Sequence, residues 1–380
     1  EIKTMKIIKM IFMCFIVLSF RIQAQSINNA DLFGCSTFIL SNEKCCLIRH
    51  NLDMYPDIPG MIYINKKGLE KESISFAELF CGVKDTLPKL KWVSKYGSVT
   101  YNPLARELID GGLNEVGLYI GEMSLNQNNQ YPVYDNKPKI AVALWLQYIL
   151  DNFSSVDEVI EFIPHASLDG QGFNWHFFSA DKKGNQAIIE FINGRTVIHK
   201  NNEVPVKLLC NNSYDFDLNR LKQFNGFGGN NNIDLTIKSE ENRFINGAQM
   251  LELYKQNPVD TVIDHAFDIL KELDFGITKW SIVYDVNNMK MYYRTNKNIN
   301  IKHFDFSTFD FSCTTPVMMI DINKDLPSWD VKEYFIPYSK QTNKTQIENL
   351  FKGIDGFKER KDLPEMVERF ANYPETVKCK

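Results

Sequence analysis

The apolar positions of this chain gather in short runs of β-branched and aromatic residues, each bounded by turns rich in Asn, Gly and Lys. Runs of this kind are typical of β-strands, and several follow one another closely enough to pair as hairpins. The predicted strands cover residues 61–65, 97–101, 117–123, 175–181, 186–192, 280–286 and 289–295.

Other stretches have the spacing of amphipathic helices. Residues 140–152 carry apolar side chains at helical intervals, and Ser155 with Glu158 forms a capping box that opens a helix over 156–163. A further helix is predicted over 259–273. Strand runs interrupted by helix pairs, without regular alternation, indicate an α+β fold with antiparallel sheets.

The sequence predicts one globular domain, since neither an internal repeat nor a Pro-rich linker divides the chain. We predict that this domain covers residues 35–336. The charged segment 337–380 is predicted to be a peripheral tail with helices near 346–351 and 364–371.

The first residues have the pattern of a secretory signal peptide, predicted over 1–24. Three lysines precede an apolar run at 10–20, which is too short to span a bilayer, and Ala24 offers a small residue for cleavage. We therefore expect a secreted or periplasmic (lumenal) protein without a stable membrane span, and a retained anchor is the alternative. Residues 25–34 are polar and are predicted to be a short, removable pro-segment.

Charge and cysteine content narrow the function further. A formal charge of −4, with lysines spread along the chain, provides no basic surface for nucleic acid. No C-x-x-C pair occurs and the histidines are scattered, so we expect no structural zinc, and the predicted chemistry needs no metal or cofactor. Seven cysteines follow the signal peptide, an odd number that leaves at least one thiol for chemistry or unpaired by chance. The pairing among Cys45, Cys46, Cys81, Cys313 and Cys379 stays open.

Cys35 opens an apolar strand candidate directly behind Gly34. A thiol is a weak nucleophile until it is deprotonated, and a free α-amine on the same residue could accept that proton. This chemistry requires cleavage of the peptide bond before Cys35. The alternatives are a buried structural cysteine, a disulfide with Cys45 or Cys46, and a lipoprotein cleavage site.

A series of motifs, in order, resembles the choloylglycine hydrolase and penicillin V acylase family of linear-amide hydrolases, which carry a processed N-terminal cysteine. The resemblance covers roughly residues 35–325. Its motifs are Cys35-Ser-Thr-Phe-Ile-Leu, Asn51-Leu-Asp53, Gly68-Leu69, Tyr96-Gly-Ser-Val-Thr, Gly112-Leu-Asn-Glu-Val-Gly-Leu118, the helix pair from Gln147, Asn211-Asn-Ser213, Arg243-Phe244, Trp280-Ser-Ile-Val-Tyr-Asp285 and Tyr293-Arg-Thr295.

The resemblance implies a four-layer αββα sandwich of the N-terminal-nucleophile hydrolases. It also implies autoprocessing, hydrolysis of a C–N bond in a small N-acylated amide through a thioester, and a homo-oligomer, often a tetramer. Two alternatives remain: a lipid amidase of the same fold, acting on N-acylethanolamines or ceramides, and a secreted binding protein that has lost activity.

Candidate site residues follow from these motifs. Asp53 lies far enough past Cys35 for an antiparallel return of the chain, which would place its carboxylate beside the α-amine freed on Cys35. The resemblance implies the same role, and the alternative is that Asp53 is a turn residue. Asn211 follows a short strand, where its amide could donate to an oxyanion; otherwise it is a loop residue within a glycosylation sequon. The resemblance implies that Arg243 lies near the thiol, and the alternative is a surface arginine.

The chain departs from the family pattern at two positions. The family usually has Arg or Lys just before the Asn-x-Asp segment, whereas this chain has His50, with Arg49 beside it. Either His50 substitutes with a pH-dependent charge, or Arg49 turns inward, or the contact is lost. Ser124 falls near an oxyanion position where bile-salt enzymes carry Asn and penicillin acylases Tyr, which leaves the substrate open.

The other histidines have no carboxylate or cysteine at a spacing that would indicate a catalytic or metal site, and we interpret them as structural. They are His165, His176, His199, His265 and His303.

Overall fold

The structure is a computed structural model that describes residues 33–41, 46–126, 130–256 and 262–380. The predicted signal peptide and most of the predicted pro-segment lie outside these residues. None of the helices in the described ranges combines the length and the apolar character that a membrane crossing requires.

One of the two large sheets carries Cys35. It is formed by β1 (Phe33–Ser41), β2 (Cys46–Met54), β14 (Leu208–Leu209), β15 (Thr278–Asp285), β16 (Lys290–Thr295) and β17 (Lys302–Asp305). The spatial order is β14-β1-β2-β15-β16-β17, and every pairing is antiparallel. The first strand is therefore an inner strand of this sheet.

The second large sheet has nine strands. They are β3 (Met61–Asn65), β6 (Ser98–Asn102), β7 (Gly111–Asn114), β8 (Tyr119–Ser124), β11 (Trp175–Ala180), β12 (Gln186–Ile192), β13 (Arg195–Lys200), β18 (Met318–Asp321) and β19 (Ile336–Pro337). Their order is β13-β12-β11-β8-β7-β6-β3-β18-β19.

Short strands and eight described helices complete the fold. The strands are β4 (Leu69–Glu72), β5 (Lys91–Val93), β9 (Lys139–Ala141), β10 (Ser167–Asp169) and β20 (Lys378–Cys379). The helices are α1 (Phe76–Cys81), α2 (Val142–Asn152), α3 (Val156–Phe162), α4 (Tyr214–Leu221), α5 (Glu240–Gln256), α6 (Val262–Glu272), α7 (Lys340–Gly353) and α8 (Leu363–Asn372).

The two large sheets pack face to face between two helical layers. Tyr284 on β15 donates a hydrogen bond to the Val99 carbonyl of the nine-stranded sheet at 3.1 Å. On the outer side of the six-stranded sheet, Asn51 donates to the Leu270 carbonyl of α6 at 2.7 Å. On the outer side of the other sheet, Trp145 of α2 packs edge-on against Phe177 at 5.0 Å. The predicted αββα sandwich with antiparallel sheets is confirmed.

The local patterns predicted many elements to within two residues. Residues 61–65 and 186–192 are strands with the predicted bounds, and both halves of the Ser155–Glu158 capping box are formed at the start of α3. The prediction missed α5, a 17-residue helix whose apolar side chains follow no clear stripe. That omission matters because α5 carries Arg243.

The C-terminal segment is less peripheral than its charge suggested. Phe370 of α8 is fully buried, and its ring lies 5.0 Å from Phe80 of α1. A disulfide joins Cys313 to Cys379, which lies in β20 and pairs with β4. The domain boundaries stay a prediction, but one face of the tail belongs to the hydrophobic core.

Candidate active site

The hairpin of β1 and β2 brings Cys35 and Asp53 together. Its register places Gly34 opposite Asp53 and Cys35 opposite Leu52. The backbone N–H of Asp53 hydrogen bonds to the Cys35 thiol. The antiparallel return predicted from the spacing is therefore present, although directly opposite residues share a sheet face, so the Asp53 carboxylate lies on the Gly34 face.

Asn211 reaches the same point from the neighbouring strand. It follows β14, which pairs with β1, and the N–H of Cys35 donates to Asn211 Oδ1 at 3.1 Å. The side-chain amide donates to the carbonyl of Ser124 at 2.8 Å. Asn211 does lie in the loop after β14, but it is only 1% exposed, so its side chain is closed to the glycosylation that its sequon would allow.

Arg243 of α5 connects these groups. Its Nη1 donates to the Cys35 carbonyl at 2.8 Å and to Asn211 Oδ1 at 3.1 Å, and Nη2 lies 2.7 Å from Asp53 Oδ2. The guanidinium also stacks over the ring of Phe275 at 4.3 Å. The alternative of a surface arginine is wrong, because Arg243 is 2% exposed.

Burial shifts the pKa values of this cluster, and neighbouring charges add to the shift at Cys35 but oppose it at Asp53 and Arg243. Burial raises the pKa of the Cys35 thiol well above its usual value, and the Glu122 and Asp53 carboxylates add to the rise. Burial also raises the pKa of Asp53, which the Arg243 charge and a hydrogen bond from Thr278 hold down. Burial would lower the pKa of Arg243, but attraction to Asp53 raises it overall, so Arg243 stays a cation.

The raised pKa of Cys35 means that the thiol stays protonated while the peptide bond to Gly34 is intact. A base next to the sulfur is needed to form the thiolate. An α-amine freed on Cys35 would lie where the N–H now donates to Asn211, within the same residue as the thiol. The arrangement thus supplies a nucleophile, a position for its base, and polar groups that hold both.

Thr278 is a site residue that the sequence reasoning missed. Its hydroxyl donates to Asp53 Oδ1 at 2.5 Å, and the residue begins β15 opposite Asp53. No sequence pattern around a threonine at the start of a strand indicates a function. Only the pairing of β2 with β15 reveals its role.

His50 and Arg49 do not supply the positive charge that the family pattern suggested. His50 is fully buried, its Nδ1 is hydrogen-bonded to Thr37 Oγ1 at 2.8 Å, and burial lowers its pKa to about 3. It is therefore neutral near pH 7, and a charged His50 is wrong. Arg49 donates to the Leu47 carbonyl at 2.8 Å and lies over the ring of Phe38, on the sheet face opposite to the Cys35 side chain.

Ser124 contributes to the described site through its backbone carbonyl, which accepts the Asn211 amide. Ser124 ends β8, and the observed contact orients Asn211 without involving any side-chain atom of Ser124, so an oxyanion role for Ser124 stays a prediction. Across the described ranges, no cluster of three or more His, Cys, Asp or Glu side chains is arranged to hold a metal.

The comparisons with known proteins agree with this fold. A family model described as linear amide C–N hydrolases of the choloylglycine hydrolase family matches residues 96–267. A penicillin V acylase from Pectobacterium atrosepticum is 26% identical over 260 residues, which cover 62% of this chain and 68% of that protein.

Two solved structures show the same fold. A penicillin V acylase from Agrobacterium tumefaciens superposes with a TM-score of 0.62 at 22% identity, over 76% of this chain and 91% of that one. A mutant of the conjugated bile acid hydrolase from Clostridium perfringens superposes with a TM-score of 0.60 at 18% identity, over 77% of this chain and 97% of that one.

The sandwich with a cysteine near the start of an inner strand has the fold of the N-terminal-nucleophile hydrolases. Within that class, the matches identify a hydrolase of linear amide C–N bonds that is similar to the choloylglycine hydrolase family, whose model matches residues 96–267, and to the penicillin V acylase from Pectobacterium atrosepticum. The resemblance noted in the motifs is thereby confirmed.

Proposed function

We propose that the chain is an exported cysteine hydrolase that cuts itself after Gly34 and then cleaves the C–N bond of a small N-acylated amide through a thioester. The contact that carries this proposal is the hydrogen bond from the Cys35 N–H to Asn211, together with the bridge that Arg243 makes from Asn211 to Asp53. These contacts surround the one backbone nitrogen that must become a free amine.

The reaction begins when the Cys35 amine takes the thiol proton and the thiolate attacks the amide carbonyl. The negative oxygen of the tetrahedral intermediate is stabilised by the second hydrogen of the Asn211 amide and by a backbone N–H. As the C–N bond breaks, the Cys35 ammonium returns its proton to the leaving amine. Water then hydrolyses the thioester, which releases the acid and regenerates the thiol.

Arg243 and Asp53 have supporting roles in this cycle. A fixed cation beside Cys35 favours the thiolate over the thiol, which offsets part of the burial that raises its pKa. The Asp53 carboxylate, held by Arg243 and Thr278, lies opposite Gly34 and orients the ammonium that forms after cleavage. No step requires a metal or another cofactor.

The substrate class is a small N-acyl amide, for which penicillin V is the first probe because the matched relative from Pectobacterium atrosepticum is a penicillin V acylase. Conjugated bile acids and N-acyl lipids are the other two. A lipid amidase or an inactive binding protein would appear as a different outcome of the same assay.

The test measures hydrolysis of these three substrates by wild type, Cys35→Ala and Ser36→Ala, and determines the N-terminus of each protein. We expect wild type to begin at Cys35 and to turn over one class, and Cys35→Ala to stay uncleaved with kcat lowered by roughly 10⁴-fold or more. Ser36→Ala is the matched control, because it changes the next residue of the same strand without removing the nucleophile, and it should behave as wild type.

Equal turnover by wild type and Cys35→Ala would overturn the mechanism. A fully active wild-type protein with Gly34 still attached would do the same, because the α-amine would then be blocked. Cleavage after Gly34 without hydrolysis of any amide would support the inactive binding homologue.

A further inference from the structure

A buried histidine and glutamate lie directly behind the strand end that carries Asn211. His176 on β11 is fully buried, and its Nε2 donates to the carbonyl of Cys210 at 2.7 Å. Its other ring nitrogen, Nδ1, lies 2.9 Å from Oε1 of Glu190 on β12, which is also fully buried. Neither residue enters the catalytic cycle described above.

Glu190 makes a second contact on the far side of Asn211. The backbone N–H of Tyr214, at the start of α4, donates to both oxygens of the Glu190 side chain, at 3.1 and 3.3 Å. The segment 210–214 is thus held at both ends, by His176 at Cys210 and by Glu190 at Tyr214. Asn211 lies between these two anchoring points.

The hydrogen bonds define where the protons must lie. A backbone carbonyl can only accept, so His176 Nε2 carries a hydrogen directed at Cys210. One further proton lies between His176 Nδ1 and Glu190 Oε1, while Glu190 still accepts from Tyr214. Replacing either partner by a group with the wrong donor and acceptor pattern therefore leaves a buried polar atom unpaired.

From this juxtaposition we propose that His176 and Glu190 are positioning residues, which hold the 210–214 segment so that the Asn211 amide points at the reacting carbonyl. The inference rests on the proposed function, because it assumes that Asn211 stabilises the oxyanion. The other contacts of Asn211 agree with it: its carbonyl accepts from the Asn126 N–H at 2.8 Å and its amide donates to Ser124.

His199 offers a matched control within the same cluster. Its Nε2 is 3.9 Å from Glu190 Oε2 and 3.7 Å from Asp215 Oδ1, beyond hydrogen-bonding distance, and it does not touch the Cys210 carbonyl. A glutamine at this position should therefore change the surroundings of Glu190 without releasing the segment that carries Asn211.

The experiment compares His176→Gln, the double variant His176→Gln/Glu190→Gln, and His199→Gln. In His176→Gln, the new side-chain amide can donate to the Cys210 carbonyl but turns its own oxygen toward the Glu190 carboxylate. We expect kcat per processed site to fall roughly tenfold to a hundredfold, with KM within about threefold of wild type, because the lost stabilisation belongs to the transition state.

The double variant restores complementary partners, because the amide introduced by Glu190→Gln can donate to the oxygen introduced by His176→Gln and still accept from Tyr214. We expect it to regain most of the lost kcat, while His199→Gln stays within about twofold of wild type. A merely structural role would lower the melting temperature and leave kcat per folded site unchanged, and that result would overturn the proposal. So would a double variant no better than His176→Gln.

A crystal structure of His176→Gln separates this inference from the proposed function and covers the case in which no amide is hydrolysed. We expect the Asn211 amide to move away from the Ser124 carbonyl. An unchanged Asn211 would overturn the positioning role, even with a fully active wild type. Wild type that neither cuts after Gly34 nor hydrolyses an amide would overturn the proposed function alone.

If His176→Gln does not fold, the double variant is compared with wild type by the same measurements. The inference is overturned if the double variant has lost the contact between the Asn211 amide and the Ser124 carbonyl and its kcat stays below the wild-type value.

Discussion

At the scale of single residues, the site has its positive charge on Arg243 and a neutral group at position 50. His50 lies on the inner face of the six-stranded sheet, against Thr37 and within 5.0 Å of the Tyr101 ring. A cation there would be surrounded by hydroxyl and aromatic groups and removed from water, which is unfavourable. The neutral imidazole avoids that penalty, but it makes the core sensitive to acid.

His50→Asn should reduce this acid sensitivity. Burial lowers the folded-state pKa of His50 from about 6.5 to about 3, so its contribution to stability is full above about pH 6.5 and is lost as the pH falls toward 3. Between pH 7 and pH 4, the wild-type free energy of unfolding should fall by about 3 kcal/mol more than that of the variant. Urea denaturation at several pH values measures this difference, and parallel curves would contradict it.

At the scale of the element, β1 has to present its own backbone for cleavage while it remains an inner strand. The bond between Gly34 and Cys35 lies in a ladder that pairs continuously with β2, so neighbouring strands fix its position. Arg243 approaches this backbone closely. A Cβ atom at position 34 would be 2.9 Å from Nη2 and 3.2 Å from Nη1 of Arg243, too close for normal contact.

Gly34→Ala should therefore slow self-cleavage. The guanidinium is held by Asp53 and Asn211 and cannot move away without breaking those contacts, so we expect cleavage to slow roughly tenfold to a hundredfold. Intact-mass measurements over time on the freshly purified precursor would follow the reaction.

The control for this prediction is a protein produced with Cys35 as its first residue, which lacks position 34 and should have wild-type kcat. Cleavage of Gly34→Ala at the wild-type rate would show that Arg243 yields easily to a methyl group.

At the scale of the whole molecule, the C-terminal helices are part of the folding unit. Arg369 of α8 donates to the carbonyls of Leu79 and Phe80 at 2.7 Å each, and so satisfies the last turn of α1. Phe370 packs on Phe80 and Phe351. The disulfide from Cys379 to Cys313 fixes the end of this segment near β4.

Phe370→Ala should lower the free energy of unfolding by about 3–5 kcal/mol, because it leaves a cavity among buried rings. The kcat per folded site should remain at the wild-type value, since this cluster touches none of the residues around Cys35. Denaturant unfolding measures the loss, with Phe216→Ala, a change at a side chain that is 45% exposed, as the control. Equal midpoints for the two variants would indicate that the tail is as peripheral as its charge suggested.

The sequence by itself determined the features that depend on neighbouring residues or on an ordered series of motifs. Strand runs, the Ser155–Glu158 capping box and the αββα class follow from periodicity, local capping and the family resemblance. The cysteine behind a small Gly34 likewise pointed to its chemistry, because the nucleophile and its proposed base belong to one residue.

Only the tertiary structure decided which distant groups meet. The resemblance had implied site roles for Asn211 and Arg243, but only the structure shows their contacts with the nitrogen and carbonyl of Cys35, and nothing in the local sequence around Thr278 or His176 indicates a function. The physical reason is that burial and hydrogen-bond partners are set by the packing of strands and helices, whereas sequence patterns report only the periodicity of one element at a time. Burial also decided that His50 is neutral, which no spacing rule could have predicted.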